Sequence, residues 1–161
     1  MFGRKGQGAM EYLMTYGWAI LVVMIVGIVM WQLGIFSMGT TTVTATGFSK
    51  IKPQLAGTGL TAGGGFTGVF TNGVGTSINV DTAASTVTDI LTNATCSGGV
   101  TLAQGTNPIT AGSNFVLTSS GCSTGTAGDV YSIRVRVNYS VTIGTVSTDH
   151  METGTVRGPR E

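Results

Sequence analysis

Residues 1–36 read MFGRKGQGAMEYLMTYGWAILVVMIVGIVMWQLGIF, and the order of their parts decides the plan of the chain. Two adjacent cations, Arg4 and Lys5, come first, followed by the small-residue junction Gly6-Gln7-Gly8-Ala9 and a single acid, Glu11. From Leu13 to Phe36 no residue is charged. That run of about 24 residues would be about 36 Å long as a helix, enough to cross a hydrocarbon core of about 30 Å. A secretory signal has a shorter apolar core, with its small-x-small cleavage site after that core. Here the small-residue junction lies before the apolar run, so cleavage there would leave the hydrophobic segment on the mature chain. Arg4 and Lys5 favour a cytoplasmic N-terminus by the positive-inside rule, which places everything after Phe36 outside.

Beyond Phe36 the composition changes. Thr, Gly, Ser and Val dominate, and Lys50 is the first charge after Glu11. The β-branched residues suit strands, and Gly and Asn clusters punctuate them at short intervals. The clearest element alternates Tyr131, Ile133, Val135, Val137, Tyr139, Val141 and Ile143 with polar residues. This period of two predicts one core face and one that is wet or meets a partner, in one long strand or two joined by a bend. Further strands are predicted at Thr41–Phe48, Gly65–Thr71, Ser77–Val80, Thr86–Leu91, Gly99–Ala103, Phe115–Thr118 and Gly154–Arg157. Gly57–Gly65 reads as a flexible connector or a long turn. The expected fold class is α+β: a long N-terminal hydrophobic helix followed by an all-β, Ig-like sandwich of seven or eight strands.

The first quarter of the chain resembles the N-terminus of archaeal type IV pilins. In that family a short basic leader ends in Lys/Arg-Gly, a Gln follows the cut, an acid stands at the fifth mature position, and a long apolar helix comes next. Lys5-Gly6, Gln7, Glu11 and Leu13–Phe36 match these features in turn. The resemblance implies cleavage by a prepilin peptidase between Gly6 and Gln7. It also implies that the helix leaves the lipid bilayer and packs into a filament core. The domains expected are a cytoplasmic leader at 1–6, the helix at 7–38 and an extracellular sandwich at 39–161. The precursor would sit in the cytoplasmic membrane with its N-terminus inside, and the product would be a filament on the cell surface.

Several residues carry more than one reading. After cleavage the α-amino group of Gln7 would be a cation one helical turn from Glu11. A carboxylate in an apolar bundle is costly unless paired, so such a pair would set axial register; alternatively Glu11 stays wet in the interfacial zone. Gly27 and Gly34 fall on nearly one helix face and permit close helix approach, although glycine is also simply more frequent in membrane helices. Cys96 and Cys122 are the only cysteines. In an exported β-domain they favour a disulfide worth about 3 kcal/mol over two free thiols. Asn93-Ala94-Thr95 and Asn138-Tyr139-Ser140 are N-glycosylation acceptors if the domain is outside, with Asn93 the more loop-like.

Signals of catalysis are nearly absent. His150 stands beside Asp149 and Glu152, but a metal site needs three or four convergent ligands, so the cluster reads as a surface polar turn. Ala62–Gly68 is Gly-rich but lacks the Gly-Lys-Ser/Thr of a phosphate loop, and no Gly-x-Ser-x-Gly elbow occurs. No enzyme activity, metal or other cofactor is expected. Lys50/Lys52 and Arg134/Arg136 are too few for a nucleic-acid footprint. Each pair puts two cations on one strand face, to contact a carboxylate on a neighbouring subunit or to be solvated. Only 9% of residues are charged, and loss of Arg4 and Lys5 would move the net charge from +1 to about −1. A near-neutral, hydroxyl-rich surface suits a domain that packs on copies of itself or carries glycan. The expected function is a structural subunit of a type IV-like pilus, a homopolymer serving surface adhesion. Its partners would be the prepilin peptidase, the assembly machinery and surface ligands. The alternatives are an archaellin-type motility filament subunit and a membrane-anchored, pilin-like binding module.

Overall fold

The computed structural model describes residues 5–33 and 42–161. The chain divides into two compact units, Met1–Met38 and Gly39–Glu161. In the first, α1 spans Lys5–Gln32. Its helical stretch Met10–Gln32 is 23 residues long and is apolar enough to cross a membrane. The run of Val and Ile in this segment has only modest intrinsic helix propensity in water. In lipid a helix is favoured regardless, because no solvent is present to satisfy free backbone groups. The Leu33 N–H donates to the Val29 carbonyl at 2.9 Å, closing the last turn. Residues 34–38 of the expected helix, Gly34 among them, lie outside the described residues, as do residues 1–4 of the expected leader.

The second unit is an antiparallel β-sandwich, which together with α1 gives the α+β layout. Among the described residues nine strands form it rather than seven or eight: β1 Thr44–Thr46, β2 Ile51–Leu60, β3 Phe66–Asn72, β4 Ile78–Asp89, β5 Ala94–Thr95, β6 Val100–Gln104, β7 Asn114–Ser119, β8 Val130–Ile143 and β9 Val146–Pro159. One sheet has the order β1-β9-β8-β4-β5 and the other β2-β3-β7-β6. Between them lie the Phe66, Phe70 and Phe115 rings, with Phe70 and Phe115 stacked at 5.7 Å, against Ile133, Val135 and Val137 of β8.

Strand β8 follows the alternation read from the sequence. Its apolar positions from Tyr131 to Val141 are buried, whereas Ile143, at the hairpin end, is 71% exposed. All 14 residues of β8 pair with the 14 of β9. The hairpin turns at Gly144-Thr145, where Gly144 takes φ +63°. A two-residue hairpin turn requires such left-handed backbone, which glycine adopts without strain.

Three expectations are corrected. Residues 57–60 are not a connector: β2 runs through them, with a register shift between Gln54 and Gly59. A Cβ at Gly57 would stand 2.7 Å from a Val69 methyl, so the missing side chain lets β2 approach β3. Ser77–Val80 and Thr86–Leu91 are not separate strands; β4 carries both, interrupted by a bulge between Asp81 and Thr86. The strand expected at Gly154–Arg157 begins at Val146 and therefore includes His150, which lies in a strand rather than a polar turn.

Candidate functional site

Every large apolar side chain of α1 from Met10 to Trp31 is exposed, from 40% at Met30 to 81% at Trp31. Such side chains point in all directions around the helix, so no face of it is polar. An apolar surface of this extent marks a site of contact with lipid or protein. Gly27 leaves a dent edged by Met24, Ile28 and Trp31. Gly6, Gln7 and Glu11 all lie within α1, with Gln7 and Glu11 one turn apart. Glu11 is exposed, and its backbone carbonyl accepts a hydrogen bond from Thr15 Oγ1 at 2.9 Å. Tyr12 and Tyr16 pack their rings at 4.6 Å on the same stripe.

In the β-domain Cys96 and Cys122 are joined by a disulfide across a sequence separation of 26. It secures the loop after β7 to the end of β4 and β5. Beside it lies a polar cluster not foreseen from the sequence. Asp89 and Arg160, both buried, approach to 3.9 Å. Arg160 also donates to the Ser123 carbonyl at 2.6 Å and to Ser123 Oγ at 2.9 Å. Ser123 Oγ donates in turn to Asp89, which also accepts the Leu91 N–H at 2.8 Å. A buried ion pair is tolerable when its remaining hydrogen-bond capacity is met in this way.

The residues around His150 separate to two faces, because neighbours along a strand point in opposite directions. Glu152 turns inward, 9% exposed, and accepts the backbone N–H groups of Ser49, Lys50 and Ile51. This holds the chain where it crosses from β1 in one sheet to β2 in the other. His150 stacks on Tyr139 at 5.5 Å and shares a hydrogen bond with Thr148 at 3.1 Å. Burial first, and the Glu152 carboxylate second, push the Tyr139 hydroxyl above its ordinary pKa of 10.0. Asp149 is on the opposite face, so the three side chains do not converge. Among the described residues no group of three His, Cys, Asp or Glu side chains is placed to hold a metal.

The two candidate glycosylation acceptors differ in access. Asn93 is exposed in the β4–β5 turn with φ +54°. Asn138 is half-buried, and its Nδ2 donates to the Ala84 carbonyl at 2.8 Å. Lys50, Lys52, Arg134 and Arg136 are all exposed. No protein-family model, curated protein or solved structure matches this chain.

Proposed function

We propose that this chain is a structural subunit of an extracellular type IV-like pilus filament. Its helix would anchor the precursor in the membrane and then pack in the filament core, with the sandwich outside serving surface adhesion. The observation that carries this reading is the exposure of the large apolar side chains of α1 from Met10 to Trp31, in a chain whose other unit has a closed core of its own. The resemblance to archaeal pilins adds the Gly6–Gln7 cleavage junction and the assembly role of Glu11. The reading assigns no catalytic residue and no cofactor.

The test is the state of the chain on the cell. Sheared surface filaments should contain it as their main component, with Gln7 as the N-terminal residue. Recovery only in membranes, monomeric and with Met1 intact, would support the anchored binding module instead. Loss of swimming without loss of attachment in a deletion strain would support the archaellin-type alternative. Glu11→Gln should lower filament yield, and a normal yield would remove Glu11 from assembly.

A further inference from the structure

The outward face of the β1-β9-β8-β4-β5 sheet has unlike ends. Register places Arg134 and Arg136 of β8 on this face, with Arg157 of β9 beside them opposite Ser132. All three arginines are exposed. Toward the hairpin turn the same face carries Asp81, opposite Asn138, and Asp149, opposite Ser140, and both aspartates are exposed. The only ion pair among the described residues is the buried one between Asp89 and Arg160, so these five charges make no ion pair among the described residues. Arg134 and Ser140 are six strand positions apart, about 20 Å, so Arg134 and Asp149 cannot meet in one molecule.

The acidic end is also concave. The β4 bulge and the β8–β9 hairpin enclose a groove of about 390 Å³, lined by Asp81, Asn138, Ser140, Asp149 and His150 among others. Its exposed acceptors are the Asp81 and Asp149 carboxylates. Asn138 uses its amide N–H on Ala84, which leaves its Oδ1 buried with no hydrogen-bond partner. Asp81 Oδ1 takes the backbone N–H groups of Ala83 and Ala84 at 2.9 and 3.1 Å, but nothing equivalent occupies Asp149. Such a groove lacks a group that donates several hydrogen bonds and carries positive charge. A guanidinium has five donors, no acceptor and a fixed charge. The chain displays three of them on the other end of the same face. The outer face of the second sheet has no such complement, since its charged strand residue is the cation Lys52.

We infer that the arginine end of this face docks into the aspartate groove of a second copy of the chain. The contact joins two different patches and is head-to-tail; where its rotation does not close into a ring, it repeats along a polymer. The inference rests on the filament reading, which requires a repeating contact between sandwiches.

The experiment uses the full chain carrying both Arg134→Cys and Asp149→Cys, which leaves Arg136, Arg157 and Asp81 in place to hold the contact. Filaments are treated with a thiol-to-thiol linker shorter than the about 20 Å separation within one chain. A ladder of covalent multimers is expected, with no ladder from either single variant. Covalent dimers alone would overturn the head-to-tail arrangement. Filaments that form but give no cross-link would overturn the contact while leaving the filament reading intact. Chains that never leave the membrane as polymer, even without substitutions, would overturn both. In a second arm, Arg134→Glu with Arg136→Glu should lower filament yield by about tenfold or more. Adding Asp81→Arg with Asp149→Arg to that chain should restore it. An unchanged yield in the first variant, with an unchanged β-domain melt, would reject the inference.

Discussion

Trp31 in α1 is 81% exposed, whereas Phe70 in β3 is 0% exposed, although both are large aromatic side chains in one short protein. The sandwich buries Phe66, Phe70, Phe115 and Tyr131 between its own sheets, so its core needs nothing from outside. The helix supplies apolar surface in every direction and has no polar face to turn to water. Burial of apolar area drives folding and association at roughly 25 cal/mol per Å², so the two units obtain that term from different sources. The sandwich obtains it from its own chain, and on the proposed reading α1 obtains it from lipid or from other helices. Substitutions in the two units should therefore have separate consequences.

The largest expected effect is in the sandwich. Phe70→Ala should lower its stability by about 3–5 kcal/mol, measured as a denaturant melt of the full chain, and leave membrane association unchanged. An unchanged melt would break the comparison, because the core would then not rest on the aromatic cluster. The counterpart in the helix is Val23→Arg, at a position 70% exposed. A cation near the middle of a spanning helix costs about 3 kcal/mol in insertion, so recovery in the membrane fraction should fall about a hundredfold. The β-domain melt should not move. A parallel loss of both would show that the units are coupled.

Replacing Cys96 and Cys122 by alanine sharpens the description of the sandwich itself. The loop they close should be worth about 3 kcal/mol through restriction of the unfolded chain. The expected result is a lower melting midpoint in oxidising buffer, with the variant matching the reduced wild-type protein. Insensitivity of the wild-type melt to reductant would mean that Asp89, Ser123 and Arg160 hold this end of the sandwich without the bridge.

How far the sequence revealed these features follows from their physics. Strand β8 was legible because its pleat puts alternate residues on one buried face, and the residue types follow that period. The apolar run of α1 was legible because its charge-free length exceeds that of ordinary core helices. Strand β2 was not, because Gly57 and Gly59 have no side chain and Ala56 only a methyl, too little to show a period. It forms through contact with Val69, a tertiary effect. The single strand β4 was hidden by its bulge, which breaks the alternation at Asp81–Thr86. Glu152 and the Asp89–Arg160 pair depend on partners 71 to 103 residues away, beyond any local pattern. The aspartate groove was hidden for the same reason, since three strands bring its residues together.

Glu152 gives the smallest effect and the finest test of the sandwich as a self-contained unit. Its carboxylate accepts three backbone N–H groups at the crossing between sheets. Glu152→Gln replaces one acceptor oxygen by a donor facing those N–H groups, which should cost about 1–3 kcal/mol. The same substitution removes the second cause of the raised Tyr139 pKa while leaving burial, the first. Tyr139 should then ionise at a lower pH than in the wild type, but still above 10.0. A phenol raised in the folded state binds its proton more tightly there than when unfolded. Its contribution to stability is therefore complete below the unfolded pKa and is lost as pH rises through the folded one. The alkaline limb of the wild-type stability curve should fall in that window, and Tyr139→Phe should flatten it in part, because burial raises Tyr131 as well. If Glu152→Gln leaves both the tyrosine titration and the melt unchanged, the crossing between sheets is held by the β2 and β9 ladders alone, and the carboxylate is incidental to it.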